Sequence, residues 1–134
     1  FGNIIDSFLK NRMTFNLFGS NYKTPDGTAI RDYIDVEDIS KIHLEAYRVI
    51  KKNKKSYEFN CGVGNGYSVL KILKTFEKIT NKKFKVIKKE PRLGDTEKLV
   101  CQTEYTKKIL KLNLKNNLIK SITNAINWKK KQYK

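Results

Sequence analysis

The stretch Pro25-Asp26-Gly27-Thr28-Ala29-Ile30-Arg31-Asp32-Tyr33-Ile34-Asp35-Val36-Glu37-Asp38-Ile39 constrains this chain more than any other. It reads as a turn, a short strand and a helix start. Pro25 presets φ, Asp26 can bond its own backbone two residues on, and Gly27 tolerates φ > 0. Ile30, Tyr33, Ile34 and Val36 supply a β-rich run. Asp35, Glu37 and Asp38 gather where the next helix begins, the end at which the backbone dipole favours negative charge. Arg31 stands at the junction of loop and strand, where a guanidinium can be held rigidly against an anion.

The rest of the chain divides at similar signals. Phe1, Ile4, Ile5, Phe8 and Leu9 form one face of a helix over residues 2–11, and Thr14–Phe18 alternate as a strand that Gly19 ends. A helix follows over 36–51, with Ile39, Ile42, Ala46, Val49 and Ile50 on its apolar stripe. Asn53-Lys54-Lys55 is a charged turn. Tyr57–Cys61 is a strand, followed by the turn Gly62-Val63-Gly64-Asn65-Gly66. Ser68 caps a helix whose inner side is Val69, Leu70, Ile72, Leu73, Phe76 and Ile79. After a turn at Asn81–Lys83, strands are expected at Phe84–Ile87 and Leu99–Cys101, separated by the rigid loop Glu90-Pro91-Arg92-Leu93-Gly94-Asp95. Thr103 caps a helix to Leu110. Asn116 or Asn117 caps a last helix with Leu118, Ile122, Ala125 and Ile126 inward, Trp128 closing that face and Lys129–Lys134 at its frayed basic end.

The 134 residues suffice for a single domain, and 39% hydrophobic content supports a folded core. The chain does not begin with Met, and its first residue already sits in a helical pattern, as expected of a piece of something longer. The formal charge of +16 raises the alternative of a basic nucleic-acid-binding module. Against that, the charge is mostly lysine scattered through helices and turns. Only Arg12, Arg31, Arg48 and Arg92 offer the planar fork that phosphate and base recognition favour. Nucleic acid is therefore not the expected partner. Cys61 and Cys101 lack metal-ligand spacing and read as reduced cytosolic thiols, a disulfide being the minor alternative. No signal peptide or membrane span is evident, so a cytoplasmic protein is expected.

Two features could build a diphosphate site. Arg31 follows the Pro-Asp-Gly-Thr loop, and Arg92 lies in Pro-Arg-Leu-Gly-Asp. Two guanidinium groups converging on one pyrophosphate make charge-assisted bonds. Asp95 would repel a phosphate, so it should face a ribose and accept its hydroxyls. Phe18 and Tyr33 offer flat surfaces for a base. The turn at 62–66 is a poor dinucleotide fingerprint, since its glycines run G-x-G-x-G, not G-x-G-x-x-G. His43, the one histidine, lacks a neighbouring nucleophile motif and reads as an ordinary helix residue.

Three phrases carry a resemblance. They are Phe18-Gly19 with Asn21-Tyr22-Lys23-Thr24-Pro25-Asp26-Gly27-Thr28, then Arg31-Asp32-Tyr33-Ile34-Asp35-Val36-Glu37-Asp38, and finally Asn60-Cys61-Gly62-Val63-Gly64-Asn65-Gly66-Tyr67-Ser68-Val69. Together with Pro91–Asp95 they resemble the C-terminal, substrate-binding part of the UDP-glucose 4-epimerases, extended short-chain dehydrogenases/reductases. The family usually has His where this chain has Asp35, and Leu where it has Cys61. The resemblance implies an α/β fold, with residues 1–134 as the UDP-sugar-binding domain and the N-terminal Rossmann portion outside this chain. It implies that Arg31, Arg92 and Asp95 bind the UDP moiety, that strand backbone from Asn16 to Phe18 reads the uracil, and that Tyr33 lies near the nucleotide. The NAD site and the catalytic Tyr-x-x-x-Lys pair would lie upstream of residue 1, in an enzyme that is a homodimer. Tyr67 with Lys71 and Tyr47 with Lys51 match that spacing without the position. Another sugar-nucleotide epimerase or dehydratase of the superfamily is the nearest alternative. Strands left without their partner sheet and exposed apolar surface are expected.

Overall fold

A computed structural model describes residues 2–114 and 117–132. The elements in chain order are α1 (Gly2–Leu9), β1 (Thr14–Phe18), β2 (Ile30–Asp32), α2 (Val36–Asn53), β3 (Gly66–Ser68), α3 (Val69–Thr80), β4 (Lys85–Lys89), β5 (Lys98–Leu99), α4 (Glu104–Leu110) and α5 (Leu118–Gln132). β1 pairs in parallel with β4. β2 pairs antiparallel with β3 on one side and parallel with β5 on the other.

The core forms around α3, with α1 and α5 against it. Ile72, Leu73 and Phe76 of α3 are buried with Ile4 and Ile5 of α1 and Leu118, Ile122 and Ile126 of α5. Phe76 is fully buried and meets the edges of Phe8 and Phe84 at 5.5 and 5.8 Å between ring centres, the preferred arrangement of aromatic quadrupoles. Glu77 Oε1 accepts from the Phe84 amide at 2.8 Å, pinning the end of α3 to the start of β4. All five residues of β4 are exposed and three are lysine, which discourages pairing at that sheet's open edge.

Capping follows local chemistry. Asp35 Oδ1 accepts from the Glu37 amide at 2.8 Å and Ser68 Oγ from the Lys71 amide at 3.1 Å. Asn117 Oδ1 accepts from the Lys120 amide at 3.0 Å; Asn116 lies outside the described residues, as do Phe1, Tyr133 and Lys134. Thr103 does not cap α4 through its side chain: its backbone is already helical, at φ −115° and ψ −2°, instead of the extended conformation of a capping residue. At the position where the family phrase has His, Asp35 both caps α2 and receives the Asn124 side-chain amide at 3.4 Å.

Several non-local expectations fail. Tyr57–Cys61 alternates in burial like a strand, yet has no ladder partner among the described residues. Its aromatics stack instead, Tyr57 on Phe59 and Phe59 on Tyr105. The β-run after Ile30 ends at Asp32, and Val36 opens α2 at 73% exposure. The strands expected at 84–87 and 99–101 shift to 85–89 and 98–99. On α2, Ile42 is buried but Ile50 is exposed, and Trp128 is 61% exposed where it was expected to close the α5 face. Leu44, Tyr47 and Ile119 are also exposed. Among the described residues no helix is long and apolar enough to cross a membrane.

Two buried hydroxyls, those of Tyr22 and Thr106, have no hydrogen-bond partner among the described residues. Thr106 is 3% exposed and its hydroxyl has no hydrogen-bond partner. Valine has the same shape without the stranded donor. Thr106→Val is expected to stabilise the fold by about 1 kcal/mol, read as a rise in the thermal midpoint.

Candidate functional site

The loop from Ser20 to Ala29 is a hydrogen-bonded knot. The Tyr22 amide donates to the Gly27 carbonyl and the Gly27 amide to the Thr24 carbonyl. Asp26 Oδ1 accepts from the amide and hydroxyl of Thr28, and Oδ2 accepts from Ser68 Oγ at 2.5 Å. The turn needs glycine at 27, where φ is +74° and a Cβ would sit 2.5 Å from the Ser20 carbonyl oxygen. Thr28, fully buried, receives the Leu70 amide at 3.2 Å. The knot is thereby tied to the start of α3, and it delivers β2 with Arg31 in place.

Burial opposes ionisation of Asp26, but the bonds from Ser68 and Thr28, helped by Lys74, prevail and hold its carboxyl below the ordinary 3.8. A carboxyl with a lowered folded-state value contributes stability that is complete above the unfolded value and fades as pH falls through the folded one. Denaturant titrations should therefore show an acid loss of stability that Asp26→Asn makes shallower.

β1, β2 and the 90–95 loop converge on a cavity of about 370 Å³. All six residues singled out from the sequence line it: Asn16 and Phe18 from β1, Arg31 from β2, Tyr33 just beyond, and Arg92 and Asp95 from the loop. The two arginines are held differently. Arg31 donates through Nη1 to the Ile30 carbonyl at 2.8 Å and through Nη2 to Asp95 Oδ1 at 2.9 Å. Arg92 lies over the Phe18 ring, its guanidinium carbon 4.3 Å from the centroid. No carboxylate partner of Arg92 is present among the described residues, so the stack sets its direction while its charge stays uncompensated. One carboxylate oxygen of Asp95, Oδ1, is engaged by Arg31. Burial raises the Tyr33 phenol above its ordinary 10.0, with Arg31 pulling the other way. A second hollow of about 330 Å³ shares Asn16, Phe18 and Arg92 and adds Lys10 and Arg12.

Sequence reasoning gave Asp32 no role, yet it organises the neighbouring turn. Its carboxylate accepts from the amides of Val63 at 3.0 Å, Gly64 at 2.9 Å and Cys101 at 3.3 Å. The available signal was an acidic residue closing a strand ahead of a glycine turn, but their meeting is a tertiary event. This also bears on NAD. Amides that would cradle a pyrophosphate in a glycine-rich loop are taken up here by Asp32, so the 62–66 turn does not fit a dinucleotide.

The remaining candidates lie elsewhere. His43 is exposed, with Nδ1 2.9 Å from the Ile39 carbonyl of its own helix. Lys51 sits 5.9 Å over the ring of Tyr47, and neither lines the cavity. Tyr67 OH meets the Asn65 side chain at 3.5 Å. Among the described residues no group of three or more His, Cys, Asp or Glu could hold a metal ion.

No family model matches the chain, but it is similar in sequence and in fold to UDP-glucose 4-epimerases. UDP-glucose 4-epimerase 2 of Arabidopsis thaliana is 38% identical over 118 residues, 87% of this chain and 34% of the plant protein. A crystal structure of a UDP-glucose 4-epimerase superposes with TM-score 0.91 at 33% identity, covering 98% of this chain and 40% of that one. The Bifidobacterium longum UDP-glucose 4-epimerase, solved with NAD+ and UDP, superposes with TM-score 0.83 at 26% identity, covering 97% and 38%. The chain thus spans well under half the length of the relatives it matches. With the α/β architecture, the parallel pairing and this sequence likeness all agreeing, the chain belongs to the UDP-glucose 4-epimerase family and corresponds to the C-terminal portion of its fold.

Proposed function

We propose that this chain supplies the UDP-sugar-binding part of a UDP-glucose 4-epimerase that interconverts UDP-glucose and UDP-galactose. The observation that carries the reading is the shared cavity of Arg31, Arg92 and Asp95 beside Phe18 and Asn16. Two fixed guanidinium groups suit a diphosphate, whose oxygens accept charge-assisted bonds. β1 has a single ladder partner, β4, among the described residues. Its other edge therefore keeps free amides and carbonyls around Asn16 to Phe18 to read a uracil. The second oxygen of Asp95 is the acceptor left for a sugar hydroxyl.

When bound, NAD would act as a transient hydride acceptor and donor. Its site and the catalytic tyrosine and lysine belong to the N-terminal portion of the family fold. That portion is the proposed partner, in a cytoplasmic homodimeric enzyme. The residues of this chain bind and orient the nucleotide so that the sugar projects toward that partner.

Calorimetric titration of UDP into the chain tests the proposal, run alone and with a separately produced N-terminal portion of a relative. Saturable binding that requires both the uridine and the diphosphate is expected. Absence of binding in both arms, or equal response to any polyanion, overturns it.

A further inference from the structure

Cys61 and Cys101 lie 40 positions apart, yet Asp32 draws them together. Its carboxylate accepts from Val63 and Gly64, just after Cys61, and from Cys101 itself. The Cys101 thiol donates to the Cys61 carbonyl oxygen at 3.8 Å. Its side chain lies against the bare Cα of Gly62, where a Cβ would stand 2.5 Å from Cys101 Cβ and 2.8 Å from its Sγ. Any side chain at 62 would wedge the two segments apart. Both thiols are free and half-buried, and the Cys61 thiol has only the Phe59 carbonyl, at 3.6 Å. Neither sulfur is locked into the core, and thiol donors at such distances yield readily.

We infer that Cys61 and Cys101 form a reversible dithiol–disulfide couple that closes beside Asp32 on exchange with a small-molecule disulfide. The Cys61 thiolate attacks one sulfur of the oxidant, forming a protein mixed disulfide and releasing one equivalent of small thiol. The Cys101 thiolate then attacks the Cys61 sulfur and expels the second. The protein loses two protons and two electrons, and the oxidant becomes two thiols. Burial, the Asp32 carboxylate and the Cys61 thiol all push the Cys101 thiol above its ordinary 9.0, so the second, intramolecular step quickens as pH rises and its thiolate forms. The closed loop contains α3, β4 and the 90–95 segment, so oxidation tethers both ends of the stretch that carries Arg92 and Asp95.

The test is incubation of the reduced chain with oxidised glutathione, followed by thiol blocking and peptide mapping. A monomer carrying a 61–101 cross-link is expected, with an unfolding midpoint raised by roughly 10 °C and restored by dithiothreitol. Cys101→Ser should trap glutathione on Cys61 with no rise in midpoint, and Cys61→Ser should form no ring. Intermolecular dimers, stable mixed disulfides on both cysteines of the unaltered chain, or a cross-link that leaves the midpoint unmoved would each overturn the couple.

Discussion

Alanine at position 31 should weaken UDP binding by about 100-fold, more than alanine at 92, for which about 30-fold is expected. A hydrogen bond to a charged group contributes about 1.5–3 kcal/mol, or roughly 10- to 150-fold. Arg31 exceeds the middle of that range because it has two tasks. It offers charge to the diphosphate, and it engages Asp95 at 2.9 Å. Its removal leaves the Asp95 carboxylate in the cavity with no cation on it, so attraction is lost and repulsion gained. The variants Arg31→Ala and Arg31→Ala with Asp95→Asn separate the two contributions by calorimetry. The second variant should regain part of the affinity, and no recovery would mean that Asp95 does not face the nucleotide. Arg92 acts through direction as well as charge, because its guanidinium is laid over Phe18. Arg92→Lys should consequently recover only a small part of the loss, since an ammonium cannot reproduce the stacked planar fork.

The second large effect concerns stability. Asp32→Ala should cost about 3–4 kcal/mol, a substantial part of what holds a domain of this size together. Three backbone amides, on Val63, Gly64 and Cys101, lose their acceptor together. The site is only half-buried, so water recovers some of the loss and keeps the figure below three full desolvation penalties. Asparagine should fare only slightly better, because it keeps one acceptor oxygen and turns an NH2 toward the same donors. The urea midpoint should fall with an unchanged slope, and amide exchange at 63, 64 and 101 should accelerate beyond the global change. A uniform acceleration would show that Asp32 is not the local tie described here.

How much could be read from residue order differs by kind of interaction. The Pro-Asp-Gly turn, the Asp35, Ser68 and Asn117 caps, and the amphipathic faces of α1, α3 and α5 are short-range. A side chain bonding two or three residues away is governed by chemistry that travels with the sequence. The six cavity residues are legible in the family phrases and in the chemistry of arginine and aspartate, neither of which says where the chain places them. By contrast, Tyr57–Cys61 has the alternation of a strand and no ladder partner among the described residues. Trp128 and Ile50 have apolar side chains and remain exposed. Periodicity tells which side of an element avoids water, not whether anything covers it.

Amino-acid order therefore determined the turns, the helices and most of their caps, and the family to which the chain belongs. Tertiary structure alone decided that Arg31 is paired with Asp95 while Arg92 rests on Phe18, and that Asp32 joins segments more than thirty and nearly seventy positions away. Contacts at such separations depend on how the intervening helices pack. That packing is a property of the whole core around Phe76 and of no single stretch of residues.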